Sequence, residues 1–252
     1  MPSPEVLSAL RRAPNQRPLV LGHRGARHAA PENTLTAFAL ALKEGADGVE
    51  LDVRLDRSGR VVVAHDRDLS RVTGGAHHGL IHELTPEELA RTELLGCEHV
   101  PALGDVLAWA REHDARVNVE LKGDAPDLRA LARAVAALVR DLRSPPERIW
   151  FSSFHPWLVR SMARALPSHA TCWLVHDGQR AFRDGNLFGV LGAVGVHPER
   201  VLVTPERVAI WRRRGALIHT WTVNDPSEAA RLAGFGVDGI ISDNPARILE
   251  AL

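Results

Sequence analysis

Only two cysteines occur in the 252 residues, Cys97 and Cys172. They lie far apart and form no CxxC pattern, so no disulfide framework is expected and a reducing compartment is the default. The chain also lacks an excess of charge, with 31 Lys and Arg against 31 Asp and Glu. That balance argues against a nucleic-acid partner, which usually demands a basic face, without excluding a local basic pocket. No apolar run is long enough to span a bilayer. Residues 1–17 carry Pro2, Pro4, Glu5, Arg11 and Arg12 and lack the apolar core of a signal peptide. The expectation is a soluble, cytoplasmic protein with no stable membrane anchor. Oligomeric state has no signature. No low-complexity tract or Gly/Ser linker divides the chain, so residues 1–252 are read as one domain. There is no G-x-S-x-G elbow and no P-loop, which removes the anchor for a serine hydrolase or a nucleoside-triphosphate enzyme.

What is present is a repeated alternation. Residues 18–21 form a short apolar run bounded by Pro and Gly, which reads as a buried strand. His23-Arg24-Gly25 follow at once, and Thr34 then opens a helical pattern that Gly45 ends. Further strands are expected at 48–53, 60–64, 117–121, 148–151, 170–175, 192–196, 217–221 and 239–242. Helices are expected at 103–112, 127–142, 156–166, 205–214, 226–233 and 245–252, with a short one at Phe182–Asn186. Between 67 and 100 regularity fails. Glycines and histidines cluster there, and Thr85-Pro86-Glu87-Glu88 marks one helix start. The alternation predicts an α/β fold, a closed (β/α)₈ TIM barrel with 66–101 as a small insertion after the second core strand; a doubly wound open sheet is the alternative.

The unusual residues fall at strand ends. Glu50 and Asp52 are two apart on the second strand, and Glu120 and Lys122 are two apart on a later one, so each pair projects to one face. In a barrel such positions converge on one cavity. Three converging carboxylates repel one another and are costly to bury. Lys122 and Arg24 supply positive charge; a hard divalent ion, Mg²⁺ or Ca²⁺, would supply it better. A hard ion, an arginine, a lysine and the histidines His23 and His65 make a set suited to cleaving a phosphodiester. The cations neutralise phosphate, and two imidazoles take one proton and give another.

These residues occur within His23-Arg24-Gly25, Pro31-Glu32-Asn33-Thr34, Glu50-Leu51-Asp52-Val53, His65-Asp66, Glu120-Leu121-Lys122 and Trp221-Thr222-Val223-Asn224. In order and approximate spacing the set resembles the glycerophosphodiester phosphodiesterases, over nearly the whole chain. Residues 236–245 resemble that family's closing segment. The resemblance implies a barrel enzyme that hydrolyses small-molecule glycerophosphodiesters to sn-glycerol 3-phosphate and an alcohol. It implies Glu50, Asp52 and Glu120 as ligands to one Mg²⁺ or Ca²⁺, and His23 and His65 as the acid/base pair. It implies Arg24 and Lys122 on the phosphate, Trp221 against the glycerol with its indole N–H still able to bond, and Glu32 and Asn33 in support. The alternatives are a related barrel acting on lysophospholipids and a non-catalytic binding barrel. His28, His77, His78, His82, His99 and His113 are read as solvated. Phe154, Trp157, Trp173 and Phe188 are read as core or rim, with Phe154 and Phe188 the better candidates for ligand contact.

Overall fold

The computed structural model describes every residue except 14 and 180–186. The helix expected at Phe182–Asn186 lies outside the described residues. In chain order the elements are α1 (Pro4–Leu10), β1 (Leu19–His23), α2 (Leu35–Lys43), β2 (Gly48–Leu55), β3 (Val61–Val63), α3 (Pro86–Arg91), α4 (Leu103–Glu112), β4 (Arg116–Leu121), α5 (Leu128–Asp141), β5 (Ile149–Ser153), α6 (Pro156–Ala165), β6 (Thr171–Val175), β7 (Gly195–Pro198), α7 (Pro205–Arg213), β8 (Leu217–Thr220), α8 (Pro226–Phe235), β9 (Gly239–Ser242) and α9 (Pro245–Leu249). Eight strands pair in parallel in the order β1, β2, β4, β5, β6, β7, β8, β9, and β1 pairs with both β2 and β9. The sheet therefore closes into a barrel ringed by helices, and the open-sheet alternative is excluded. β3 stands outside this ring, antiparallel to the far end of β2.

The strands read as apolar runs because both of their faces are buried. Outward, Val49, Leu51, Val53, Val117, Val119 and Phe151 pack under the helices. Inward, Leu21, Trp150, Cys172, Leu217 and Ile241 fill the lower barrel, where Leu10 of α1 joins them, fully buried. Helix starts follow polar caps: the side chains of Thr34, Asp127, Thr204, Asp225 and Asn244 each accept a backbone N–H from the first turn. The irregular stretch contains a 3₁₀ turn at Ile81–Glu83 and α3, which opens with a Thr85/Glu88 capping box. Leu69, Ile81, Leu84 and Leu89 form a small apolar cluster there with Val62 and Ala64. No helix among the described residues is long and apolar enough to cross a membrane.

Two local expectations change. The strand expected at 192–196 lies at Gly195–Pro198. Gly192 has φ +77° and ends a 3₁₀ turn at Phe188–Leu191, so the chain cannot be extended there. Helix α1 was not anticipated, since seven residues are too few for an apolar period to stand out.

Two histidines lie inside the barrel wall. His197 and His219 are fully buried and stack at 5.1 Å between ring centroids. Among the described residues, neither ring nitrogen of His197 has a hydrogen-bond partner. Burial, then the neighbouring His219, holds its imidazole well below the ordinary histidine range. The unfolded chain therefore binds a proton below about pH 6.5 that the folded chain refuses, and stability falls with pH in that window. Between about pH 8 and pH 5 this one residue is expected to cost about 2 kcal/mol. Urea titrations of His197→Leu should show that much less acid sensitivity, whatever the stability at high pH. An unchanged pH slope would contradict this.

Candidate active site

The centre of the upper barrel is acidic. Glu50 and Asp52 project inward from β2, and the register places Asp52 beside Glu120 on β4. All three are buried, and one carboxylate oxygen from each lies within 4.8 Å of the others. Lys122 Nζ stands 2.8 Å from Glu120 Oε1 and 3.2 Å from Asp52 Oδ1. Arg24 Nε lies 3.2 Å from Asp52 Oδ2, and Asn33 Nδ2 donates to the same oxygen at 3.1 Å. Two cations thus face three acids, and both favour Asp52. Burial opposes the Asp52 anion, but Lys122 and Arg24 outweigh it and hold its carboxyl below the usual range. Glu50 receives only the Arg24 backbone N–H, at 3.3 Å, and no ion pair among the described residues. Burial, then Asp52 and Glu120, push Glu50 well above the carboxylate range. Burial also raises Glu120 to about 7 despite Lys122.

The β1–α2 loop locks Arg24 in place. Arg24 and Asn33 adopt left-handed φ values of 57° and 58°, where non-glycine residues are uncommon. Gly25, at φ +84°, runs so close to α2 that a Cβ would sit 2.6 Å from the Ala37 backbone. Arg24 also bonds Glu32 at 2.9 Å, and Glu32 accepts two bonds from Arg71. Burial works against the Glu32 anion, but Arg71 and Arg24 bring its carboxyl down to about 2. Arg71 comes from the irregular stretch and also bonds Asp66 at 2.7 Å. It was not anticipated, because nothing in a glycine-rich tract signals a contact 39 positions away.

Each histidine of the site has its own carboxylate. His23 Nδ1 is 2.7 Å from Asp243 Oδ1, and His65 Nδ1 is 2.7 Å from Asp66 Oδ1. A carboxylate accepting from Nδ1–H fixes the tautomer and leaves Nε2 to exchange protons. No described residue bonds either Nε2. Burial lowers both imidazoles, with Asp243 opposing at His23 and Asp52 opposing at His65.

His23, Arg24, Glu50, His65, Glu120 and Lys122 line one cavity of about 280 Å³, together with Asn118, Phe154, Trp221 and Asp243. An open groove of about 640 Å³ adjoins it, sharing His65, Glu120, Lys122 and Phe154. Charged residues stand along the groove, Arg54, Asp66, Arg67, Asp68 and Asp124, beside the apolar surface of Phe154 and Pro156. Trp221 meets Phe154 edge to face at 5.4 Å. Its indole N–H does bond, donating to the His197 carbonyl at 2.7 Å, so the ring face is what the cavity is offered. Phe154 lines the cavity as expected of the better candidates, whereas Phe188 is buried in the outer core.

A protein-family model, the Glycerophosphoryl diester phosphodiesterase family, matches residues 23–247. The chain belongs to this family. Among relatives of the phosphodiesterase, the glycerophosphodiester phosphodiesterase of Caldanaerobacter subterraneus subsp. tengcongensis is 30% identical over 244 residues, covering 92% of this chain and 96% of that one. That of Bacillus altitudinis is 31% identical over 242 residues, covering 92% and 96%. A crystal structure of a glycerophosphoryl diester phosphodiesterase from Silicibacter pomeroyi superposes with a TM-score of 0.86 at 31% identity, over 98% of this chain and 96% of that one. An Oleispira antarctica phosphodiesterase in complex with the product sn-glycerol-3-phosphate superposes at 0.82 with 28% identity, covering 93% and 96%. The family and the fold together make this chain a hydrolase of glycerophosphodiesters.

Proposed function

We propose that the enzyme cleaves glycerophosphodiesters to sn-glycerol 3-phosphate and a small polar alcohol, with one divalent metal ion and two histidines that divide the proton transfers. The observation that carries this reading is the charge imbalance: three buried carboxylates within 4.8 Å share two cations, and one of them, Glu50, closes no ion pair among the described residues. Oxygen-only donors suit a hard ion, and Glu50, Asp52 and Glu120 would hold Mg²⁺ or Ca²⁺. Bound there, the ion would polarise the phosphoryl oxygen and draw negative charge from it. Lys122 and Arg24 lie beside the same acids and would bind the remaining phosphate charge. Glu32 and Asn33 fix Arg24 and Asp52.

The two spaces divide the substrate. The enclosed cavity fits glycerol phosphate against the Trp221 face, and the product bound by the Oleispira antarctica relative supports that assignment. The alcohol then leaves through the groove that His65 borders and His23 does not. His23 accordingly takes the proton of the attacking hydroxyl, and His65 protonates the departing alkoxide. The five charged side chains along the groove favour a small polar headgroup over an acyl chain, against the lysophospholipid reading. We take residues 1–252 as one catalytic unit with 66–101 inserted, and the free thiols of Cys97 and Cys172 support a cytoplasmic setting.

The reading is tested by cleavage of glycerophosphocholine and of a long-chain lysolipid, with sn-glycerol 3-phosphate measured as product. Equal or better cleavage of the lysolipid would overturn it. On the substrate side Trp221→Ala removes only the apolar ring face, because its N–H is already spent on the His197 carbonyl. It is expected to raise KM roughly tenfold with a smaller change in kcat. A pure kcat loss in steady-state kinetics would contradict that.

A further inference from the structure

One outer face of the barrel is charged out of proportion to a neutral chain. Between α5 and α6 lies an open groove of about 440 Å³ walled by Arg129, Arg133, Arg140 and Arg164, with no acidic residue in its lining. Its floor is small, with Ala132, Ala136 and Ala165, and Arg140 donates to the Ala165 carbonyl at 3.2 Å. The side chains of Arg129, Arg133 and Arg164 close no ion pair or hydrogen bond among the described residues. The Asp127 carboxylate, which caps α5, accepts backbone N–H groups of Ala130 and Arg129 and feels the Arg133 and Arg129 guanidinium groups only at a distance.

The same face exposes large apolar side chains. Trp157, at the start of α6, lines the groove and is 39% exposed. Arg160, one turn on, donates to the Val190 carbonyl at 3.0 Å and so ties α6 to the 3₁₀ turn at Phe188–Leu191. Leu187 and Val190 are 45% and 69% exposed there. Exposed apolar side chains flanked by unpaired arginines suit an interface between water and lipid headgroups. His155 and Pro156, which border the catalytic groove, immediately precede Trp157.

We propose that this face rests reversibly on a bilayer surface carrying anionic phospholipids, with Trp157, Leu187 and Val190 at the headgroup level and the arginines on lipid phosphates. A soluble polyanion would use the arginines and leave Leu187 and Val190 in water, so a bilayer accounts for more of the face. The attachment is weak and reversible, and no helix among the described residues is long and apolar enough to cross the membrane. It would place the catalytic groove beside a surface where ester hydrolysis of phospholipids releases glycerophosphodiesters.

The test is co-sedimentation with vesicles of phosphatidylcholine alone and of phosphatidylcholine mixed with phosphatidylglycerol. The protein should bind the mixed vesicles, and binding should fall as salt rises. Each basic residue near an anionic surface is worth roughly a factor of five, so the triple change Arg129→Glu, Arg133→Glu, Arg164→Glu should weaken partition roughly 100-fold or more. The double change Trp157→Ala, Val190→Ala should weaken it several-fold. Thermal unfolding midpoints report whether each variant is folded; if the charge reversal does not fold, the triple change to Gln reads the same effect at smaller size. No binding by the wild type, equal binding to both vesicles, or an unaltered partition of the folded arginine variant overturns the proposal. Loss in the arginine variant with none in the Trp157, Val190 variant marks a general polyanion site and overturns the bilayer assignment.

Discussion

Glu50→Gln is expected to weaken divalent-metal binding by at least about 100-fold and to abolish turnover with it, since even removal of a residue behind a ligand costs 10–100-fold. Glutamine keeps the volume and one oxygen but removes the charge. Glu50 is the right acid to change, because it closes no ion pair among the described residues and its charge reaches Arg24 only at a distance. Asp52→Ala would instead leave Lys122 and Arg24 buried without their shared partner, and so confuse loss of metal with loss of fold. Relieved of one of three like charges, the metal-free Glu50→Gln protein should unfold no earlier than the wild type. Titration calorimetry gives the affinity, and thermal unfolding gives the stability. The wild-type affinity should also rise with pH. Glu120 sits at about 7 and burial beside Asp52 and Glu120 pushes Glu50 well above the carboxylate range, so metal must displace protons on the acid side of neutrality. An affinity flat from about pH 6 to 8, or a Glu50→Gln variant with wild-type affinity, would contradict the three-carboxylate site.

The second large effect is expected at the histidines. His23→Ala and His65→Ala should each lower kcat by about 10²–10⁴ with metal still bound, since neither ring is assigned as a ligand. The leaving group separates their roles. A p-nitrophenyl ester departs without protonation, so on that substrate His65→Ala should regain most of its loss, while His23→Ala should not. Because the pair acts as a unit, the double variant should cost much less than the product of the singles. Burial lowers both imidazoles, so the acid limb of the pH–rate profile should fall below about pH 6.5. A His65→Ala enzyme equally impaired on both substrates would remove it from the general-acid role. Rescue of His23→Ala instead would exchange the two assignments.

Much of this was legible in the sequence, for identifiable reasons. Strands buried on both faces are continuous apolar runs, so acids at Glu50, Asp52 and Glu120 stand out against their neighbours. Helices that start at Thr204-Pro205, Asp225-Pro226 and Asn244-Pro245 announce their caps. The spacing of two within strands was enough to predict convergence once a barrel was assumed. What stayed hidden depended on closure of the ring. Asp243 meets His23 across 220 positions only because β9 pairs with β1. Arg71 reaches Glu32 from a tract with no period. Strand β7 slid by three residues because Val194 continues an apolar pattern that Gly192 breaks only through its backbone. Nor did the sequence betray that the Trp221 N–H is taken by a neighbouring strand.

The central claim, metal-dependent cleavage of a glycerophosphodiester, is tested most directly by one assay. The purified enzyme is stripped with a chelator and dialysed. It is then given glycerophosphocholine alone, with Mg²⁺, or with Ca²⁺, and sn-glycerol 3-phosphate is measured. The account predicts no release from the stripped wild type, restored release with at least one of the two ions, and none from Glu50→Gln at the same metal concentration. Full release by the exhaustively chelated enzyme would contradict it.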